Sequence, residues 1–323
     1  MKSCWIVTKN HKAVFEFRDV PVPEPKAGEL VVRIHASSLN RGELIVGGVV
    51  HGGAEKIGGT DAAGEVHAVG AGVTSFRPGD RIMGRIRGGF AEFGLMDVRQ
   101  AMNIPAHLSW EQAAAIPVTF LTSYEMLVQY GRLTRGEWLL VTGVSSGVGV
   151  ACVQIGKMIG AGTIGTSGSA RKLERLKTIG LDAGIATRAP DFAARVKEIT
   201  GGKGADLIVN CVGGSVFAEC IRSLAYQGRL ATVGYVDRVM KSEIDLEALH
   251  ANRYVLFGVS NARFGPDQRA ETVRGFVRDI YPAIADGRMT PIVDRVFPFE
   301  ELPAAKDYVE SNVQVGKVVV RVA

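Results

Sequence analysis

The stretch from Glu137 to Ser169 constrains the fold more than any other part of this sequence. Its first apolar run, Trp138–Val141, is short enough for a buried parallel strand. A bend rich in glycine and serine follows over residues 142–149, then an apolar run with helical spacing from Val150, then a second short strand that ends at Ser167. Strand, small-residue turn, helix and strand form a βαβ unit, whose helix N-terminus directs free N–H groups at the turn. These donors and the helix dipole favour a bound anion, typically a pyrophosphate.

The turn does not match a strict G-x-G-x-x-G fingerprint, because Val144 and Ser146 stand at two of its glycine positions and only Gly149 matches. A structural βα connection without a ligand is therefore an alternative interpretation. The βα pattern repeats further along the chain, which favours a ligand site, since glycines permit close approach and serines add small hydroxyl donors. The predicted phosphate-binding residues are Ser145, Ser146, Gly147, Val148 and Gly149.

Length and composition are those of an ordinary globular chain. It has 323 residues, of which 46% are hydrophobic and 22% charged, so there is room for two domains with packed cores. We find no signal-peptide pattern and no stretch that approaches the roughly twenty uncharged residues of a membrane span. We therefore expect a cytoplasmic protein with no membrane partner. The net charge of +5 suits an anionic ligand, but the Lys and Arg residues are dispersed among acids, so no nucleic-acid partner is expected.

The four cysteines, Cys4, Cys152, Cys211 and Cys220, include no C-x-x-C pair. Cys152 and Cys211 fall in patterns typical of a core helix and a core strand. Buried free thiols are therefore expected rather than disulfides or metal ligands.

Three parts of the chain differ in their hydrophobic pattern. Residues 1–100 contain short apolar or alternating runs between turns, which predicts a compact, barrel-like β-rich domain. After a helix predicted over 119–130, six short strand patterns alternate with helical ones over 137–261, and this alternation requires parallel pairing in a doubly wound sheet. The rest, with a long helix predicted over 267–286, returns to the first domain. The predicted domains are residues 1–118, 119–261 and 262–323.

Short motifs along the whole chain carry a further signal. They are Ala36–Asn40, Gly64–Val66, Val69–Val73, Pro78–Arg81, Gly88–Glu92, Gln112–Ala114, Ser145–Gly149 and Gly316–Val319. Together they resemble the medium-chain dehydrogenase/reductase superfamily, in particular its zinc-independent quinone oxidoreductase (zeta-crystallin-like) branch. The resemblance implies an α/β fold, with a GroES-like β-rich catalytic domain and an inserted, doubly wound Rossmann domain. It also implies a homodimer joined through the last Rossmann strand, here Tyr254–Val259.

The resemblance allows the sequence to be tested for zinc. Zinc-dependent relatives hold a catalytic ion with a Cys or Asp near the position of Asn40, a His-Glu pair at the position of Thr60-Asp61, and a later Cys or Asp. This sequence has no thiolate at the first position and Thr60 in place of the imidazole, and it lacks the four-cysteine lobe around residues 88–96. The six histidines show no i,i+3 or i,i+4 spacing, and zinc needs about four N, S or O ligands. No metal site is predicted.

Ser167 is the residue on which the predicted cofactor depends. NAD-specific domains carry Asp or Glu at the end of the second strand, whereas Ser167 stands here, followed by Arg171 and Lys172. A carboxylate would repel a 2′-phosphate, while a hydroxyl and two cations would hold it, so we predict NADP(H). Solvated first-turn positions are the alternative for the two cations, although cations are slightly disfavoured at a helix N-terminus. The family often has a tyrosine near Thr187 and Arg188, so contacts on the adenine side stay open.

The resemblance also assigns residues to the nicotinamide end. The implied catalytic residues are Asn40 and Thr122, whose amide and hydroxyl would serve the reacting carbonyl and the ribose. The implied cofactor-binding residues are Val212, Gly213, Val233, Gly234, Ser260, Asn261 and Lys317. Taken singly, an Asn or Thr is more often a cap or turn residue, and this interpretation stays open.

Hydride transfer to a carbonyl needs positioning, a dry pocket and stabilisation of the developing oxyanion. Enoyl-reducing relatives often use a tyrosine of the first domain as the acid, but the first tyrosine here is Tyr124. Glu43, His51 and Asp61 are conceivable donors, each with a structural or surface role as the alternative. A reduced quinone takes its proton from water, so the expected activity is NADPH-dependent reduction of quinones or other α,β-unsaturated carbonyls. The alternatives are an enoyl-thioester reductase, a zinc alcohol dehydrogenase-like enzyme, and a cofactor-binding protein with crystallin-like or nucleic-acid-binding use.

Overall fold

The computed structural model describes residues 1–9, 12–44 and 55–323 of the chain. The chain divides into two compact units. Unit 1 comprises Met1–Leu121 and Ala262–Ala323, and unit 2 comprises Thr122–Asn261. Among the helices of the described ranges, none combines the length and hydropathy needed to span a bilayer.

The N-terminal part of unit 1 consists mainly of short strands. Its elements are β1 (Lys2–Lys9), β2 (Lys12–Asp19), β3 (Glu29–Ser38), β4 (Glu55–Ile57), β5 (Asp61–Val69), β6 (Arg81–Arg85), β7 (Phe93–Asp97), β8 (Ala101–Asn103), α1 (Trp110–Ala114) and α2 (Pro117–Tyr124), the last of which continues into unit 2. Helix α1 begins at Trp110, because Ser109 and Gln112 form a reciprocal capping box.

Unit 2 alternates strands and helices. Its elements are β9 (Trp138–Thr142), α3 (Gly147–Ile159), β10 (Gly162–Ser167), α4 (Ala170–Lys177), β11 (Ala183–Ala186), α5 (Ala193–Ile199), β12 (Ala205–Asn210), α6 (Phe217–Ser223), β13 (Leu224–Thr232), α7 (Leu246–Ala251) and β14 (Val255–Gly258). All six strands are parallel, in the order β11-β10-β9-β12-β13-β14. The strand order reverses between β9 and β12, and the carboxyl ends of strands at such a switch point are where ligands bind in open α/β sheets.

The chain then returns to unit 1. The closing elements are α8 (Pro266–Asp279), α9 (Tyr281–Ala285), β15 (Val293–Pro298), α10 (Leu302–Glu310) and β16 (Lys317–Arg321). One sheet has the order β15-β16-β3-β5-β6-β8, with β7 also paired to β3, and a second has the order β2-β1-β4. Strand β16 lies antiparallel to β3, with Val319 opposite Ser38. This register places Lys317, the first residue of β16, beside the chain that leaves β3.

Each unit has its own apolar core. In unit 1, one cluster of buried side chains from β3, β5 and β6 includes Leu30, Ile34 and Ile82. In unit 2, buried residues of the parallel strands, such as Leu140 and Ile208, pack with Val196 and Cys220 from the helices. The predicted fold class, a GroES-like β-rich domain with a doubly wound Rossmann domain, is confirmed.

Two predicted helices differ from the structure. The helix expected over 119–130 is α-helical only to Tyr124, and residues Glu125–Gln129 form a π-helical turn in which Tyr130 N bonds Glu125 O at 3.0 Å. The helix expected over 267–286 is divided into α8 and α9 at Ile280. Pro282 explains the division, because it has no N–H and its ring disfavours a continuous helix.

Candidate functional site

The turn between β9 and α3 contains the first group of predicted binding residues. Ser146 is the N-cap of α3, and its Oγ accepts from Gly149 N at 3.1 Å. A Cβ on Gly149 would overlap the Val144 carbonyl, so glycine is required there. The Val144 side chain is itself fully buried, which explains an apolar residue at a fingerprint position. The N–H groups of Gly147 and Val148 start the helix and have no acceptor within it, so they are available to an anion.

The end of β12 lies beside this turn and is held by a buried amide. Asn210 Oδ1 accepts from Thr142 Oγ1 at 3.1 Å, from Val212 N at 3.0 Å and from Gly213 N at 3.1 Å, while Nδ2 donates to Gly213 O at 2.9 Å. Gly213 has φ +131°, and a Cβ there would overlap the Asp237 carboxylate. Asn210 thus fixes two predicted residues at the switch point. Asn210 was not identified from the sequence, although a polar residue at the end of an apolar strand is a signal for such a role.

Four further predicted residues of unit 2 follow the ends of β13 and β14, and Thr122 lies in α2. Val233 N donates to Asn210 O at 3.2 Å, and Gly234 lies against the backbone of Cys211. Asn261 Nδ2 donates to Thr122 Oγ1 at 3.1 Å, although 139 residues separate the two along the chain. The structure therefore brings Thr122 and Asn261 together. Ser260, beside Asn261, is exposed.

The corner between β10 and α4 contains the residues predicted to select the cofactor. Ser167 Oγ accepts from Ser169 N at 3.3 Å, and Ser169 caps α4 by accepting from Lys172 N. Arg171 is exposed in the first turn of α4. The Arg188 side chain lies across Gly168, because a Cβ on that glycine would overlap its Nε and Cγ.

Arg188 therefore adds a third cation to the corner, a role that sequence reasoning did not assign because the residue follows a different strand. No acidic residue occurs between Ser167 and Lys172. Further along, the Asp191 carboxylate accepts from the Thr187 hydroxyl at 2.7 Å. Free amides at the α3 N-terminus and a hydroxyl with three cations at the β10 corner form a donor set that fits a dinucleotide with a 2′-phosphate.

Unit 1 contains a buried polar cluster around Asp61, whose side chain is fully buried. Its Oδ2 accepts from Ser38 Oγ and Asn40 Nδ2, both at 2.8 Å, and its Oδ1 accepts from Val118 N at 2.8 Å. Lys317 Nζ lies 3.6 Å from Asp61 Oδ2. The cluster thus joins β3, β5, α2 and β16 around one ion pair.

Lys317 and Asn40 direct their polar atoms into this cluster. Lys317 Nζ donates to Leu39 O at 2.8 Å and to Asn40 Oδ1 at 2.7 Å. Asn40 Nδ2 donates to Glu43 Oε1 and Asp61 Oδ2, both at 2.8 Å, so both amide hydrogens have short acceptors within unit 1. In this conformation Asn40 offers no free N–H to a substrate carbonyl, and Lys317, only 5% exposed, contacts its own chain.

Glu43 completes the cluster and is also buried. Its Oε2 accepts from Gly59 N at 3.0 Å, and its Oε1 accepts from Thr60 Oγ1 at 3.0 Å. Burial raises the pKa of Glu43 above that of an ordinary glutamate and lowers the pKa of Lys317, because both lose hydration of their charged forms. His51, another candidate acid, lies outside the described residues.

The donor set of this cluster does not fit zinc. At the position of the His-Glu pair of zinc-dependent relatives stand Thr60 and Asp61, and the positive charge beside Asp61 is the Lys317 ammonium. An ammonium cannot act as a ligand, whereas zinc needs about four N, S or O donors. Across residues 1–9, 12–44 and 55–323, no group of three or more His, Cys, Asp or Glu side chains is placed to hold a metal ion.

Two domain families match the chain, one within unit 1 and the other mostly within unit 2. The alcohol dehydrogenase GroES-like domain matches residues 26–106. The zinc-binding dehydrogenase domain matches residues 147–277.

Individual relatives and one solved structure extend the match to nearly the whole chain. The human synaptic vesicle membrane protein VAT-1 homolog is 29% identical over 324 residues, 95% of this chain and 82% of that protein. The rat quinone oxidoreductase is 27% identical over 307 residues, 93% and 91% of the two chains. Erythronolide synthase EryA2 of Saccharopolyspora erythraea is 31% identical over 91% of this chain, which spans only 8% of that protein. The mycobacterial protein Rv1454c, solved with NADPH, is 26% identical and superimposes over 100% of both chains with a TM-score of 0.90.

Proposed function

Because this chain belongs to the medium-chain dehydrogenase/reductase superfamily, in its zeta-crystallin-like branch, we propose that it is an oxidoreductase that uses NADPH to reduce quinones or other α,β-unsaturated carbonyls without a metal. The observation that carries the proposal is the corner after β10, where a hydroxyl and three cations stand in place of a carboxylate. The rat quinone oxidoreductase and the NADPH complex of a mycobacterial relative support the same assignment.

Ser167, Arg171, Lys172 and Arg188 would bind the 2′-phosphate of NADPH. A phosphate carries between one and two negative charges near neutral pH, and guanidinium groups match its geometry with paired N–H donors. The amides of Gly147 and Val148 would bind the pyrophosphate at the positive end of the α3 dipole.

NADPH, when bound, supplies the hydride. The chain has to orient the nicotinamide and the carbonyl and to stabilise the negative charge that develops on the carbonyl oxygen. We assign orientation of the nicotinamide side to Thr122 and Asn261, whose side chains are hydrogen-bonded to each other. Asn261 Nδ2 donates to the hydroxyl oxygen of Thr122. Among the described residues, the hydroxyl hydrogen of Thr122 has no acceptor, so Thr122 can donate it to a ligand.

Quinones are favoured over acyl thioesters as substrates because no tyrosine precedes Tyr124 in the sequence. The reduced quinone gains an aromatic ring, and its oxygen takes a proton from water, so a quinone needs less help from a positioned acid than an enone does. Reduction of enoyl thioesters is the second candidate activity. A cofactor-binding role with little turnover, with or without nucleic acid, is the candidate from another class.

The test is oxidation of NADPH and NADH by purified protein with naphthoquinone, a simple enone and an enoyl thioester. We expect NADPH to be preferred and naphthoquinone to be the best acceptor. Ser167→Asp should reverse the preference, since a carboxylate about 4 Å from a phosphate charge costs about 4 kcal/mol per charge pair at an effective dielectric constant of 20. Arg188→Ala should weaken the binding of NADPH more than the binding of NADH. Asp191→Asn serves as a control near the same corner.

Three results would contradict parts of this proposal. NADPH binding without turnover on any acceptor would favour the cofactor-binding role. Stoichiometric zinc in purified active protein, lost together with activity on chelation, would favour an alcohol dehydrogenase-like enzyme. An unchanged cofactor preference in Ser167→Asp would refute the assignment of the corner.

We also propose that two copies pair through β14. This strand is one of the two edges of the parallel sheet, and edge strands carry unpaired backbone groups that a second strand can satisfy. Val255, at its start, is 52% exposed. Light scattering should report a dimer for the wild type and a monomer for Val255→Pro. A monomeric wild type would refute the pairing.

We place the protein in the cytoplasm. All four cysteines are buried free thiols, as the sequence predicts, and free thiols suit a reducing compartment. Fractionation of the source cells with an antibody would test this, and recovery in a secreted fraction would contradict it.

A further inference from the structure

Glu43 and Thr60 are joined by a hydrogen bond that connects a buried carboxyl to a partly exposed hydroxyl. The carboxyl is 6% exposed, and its Oε1 lies 3.0 Å from Thr60 Oγ1. We propose that these two residues form a proton relay that protonates the oxygen of the reduced substrate. This inference rests on the proposed function, because it names the proton source for the reduction of enones in that reaction, whereas a reduced quinone takes its proton from water.

The charges around Glu43 favour a proton on its carboxyl. Asp61 already has three hydrogen-bond donors and the Lys317 ammonium at 3.6 Å, so one negative charge is balanced by one positive charge. A second carboxylate would leave the buried cluster with a net negative charge, which is costly at low dielectric. Burial acts in the same direction on the pKa of Glu43.

A neutral Glu43 keeps its two shorter contacts with N–H donors while it donates to Thr60, and it gives up the longer bond from Asn40 N at 3.2 Å. Its Oε2 still accepts from Gly59 N, and the free lone pair of Oε1 still accepts from Asn40 Nδ2. Thr60 Oγ1 then accepts from Glu43, and its own hydrogen turns away from the cluster. Because Thr60 is partly exposed, this hydrogen is the one that a ligand can reach.

The relay balances the reaction. The hydride from NADPH brings two electrons and one hydrogen to the carbon skeleton, which leaves a negative charge on the substrate oxygen. The Thr60 O–H bond breaks as its proton moves to that oxygen, and Thr60 takes the proton of Glu43. Glu43 is left as a carboxylate and regains a proton from water after the product leaves. The products are NADP⁺ and the neutral enol, which becomes the saturated carbonyl compound by tautomerisation in water.

The relay predicts a difference between substrates. In Glu43→Gln and in Thr60→Val, kcat with an enone should fall about 100-fold, at the lower end of general-acid contributions, while kcat with naphthoquinone changes less than threefold. Thr60→Ser keeps the hydroxyl and should retain enone activity. The double variant should be no slower than the slower single variant, because both remove the same pathway. Glu219→Gln, which removes a buried carboxyl from unit 2, is the matched control and should leave the enone-to-quinone ratio unchanged.

A second measurement detects the proton in the protein without cofactor. Because the folded pKa of Glu43 is raised, the folded state binds more protons than the unfolded state above pH 4.5, and the free energy of unfolding falls as the pH rises through that window. The wild type should therefore lose thermal stability relative to Glu43→Gln as the pH rises from 4.5, and Glu219→Gln should not reproduce this trend.

The outcomes are distinct. A wild type inactive with every acceptor would refute the proposed function and the relay with it. An active wild type whose enone and quinone rates fall equally in Glu43→Gln and Thr60→Val would refute the relay alone. A flat difference in stability between wild type and Glu43→Gln above pH 4.5 would show that Glu43 holds no proton and would also overturn it.

Discussion

Lys317→Met is the substitution that best tests the physical basis of the unit 1 cluster. Methionine keeps an unbranched apolar side chain of similar length but removes the ammonium. Asp61 would then be fully buried without its cation, and Leu39 O and Asn40 Oδ1 would each lose a donor that now lies within 2.8 Å. Removal of one partner from a buried ion pair leaves an uncompensated charge, which is more damaging than removal of the whole pair.

The expected loss in the free energy of unfolding is about 3–5 kcal/mol, the range for a broken buried pair. Asp61 retains three hydrogen-bond donors at 2.8 Å, which favours the lower part of this range. Unit 1 has about 180 residues. For a unit of that size, each kcal/mol shifts the melting temperature by roughly 2–4 °C, so a decrease of roughly 6–20 °C is expected.

Thermal and urea unfolding followed by circular dichroism measure this effect. Lys157→Met is the matched control, since Lys157 is 53% exposed and its ion pair with Asp182 should contribute less than about 1 kcal/mol. Lys317→Met combined with Asp61→Asn should recover part of the loss, because no buried charge is then left unpaired. A loss below about 1 kcal/mol in Lys317→Met, or no recovery in the double variant, would refute the electrostatic reasoning.

Two further predictions concern other parts of the chain. Ser146→Ala removes the N-cap of α3 and should cost about 1 kcal/mol in urea unfolding and weaken dinucleotide binding in calorimetry, whereas Ser145→Ala should leave stability unchanged. Burial raises the pKa of the Cys4 and Cys211 thiols to about 12, so a thiol reagent at pH 8 should label the native protein far more slowly than the urea-unfolded chain. Rapid labelling of native protein would contradict the assigned burial.

Much of unit 2 could be predicted because its signals are local. The apolar run Trp138–Val141, the small-residue turn and the following helical spacing identify a βαβ unit without reference to the rest of the chain. Repetition of that pattern then limits the sheet to parallel pairing, and the observed strand order agrees. The glycine at 149 and the cap at 146 follow from the same local geometry.

Residues whose role depends on another strand were harder to predict. Asn210 binds the turn that follows its own strand and also Thr142 of the neighbouring strand, so its importance depends on strand order. Arg188 reaches the cofactor corner because β11 lies next to β10. Neither relation is visible in a hydrophobic pattern, which reports only which face of an element is buried.

The sequence by itself determined the doubly wound sheet, the positions of its turns and the absence of an acid after the second strand of that sheet, because periodicity and turn chemistry act over a few residues. Only the tertiary structure decided what Asn40 and Lys317 do, since 277 residues separate them along the chain and their side chains meet at 2.7 Å. Burial in that cluster then raises the pKa of Glu43 and lowers the pKa of Lys317. Those are properties of the surroundings of a side chain, and the surroundings form only when β3, β5 and β16 come together.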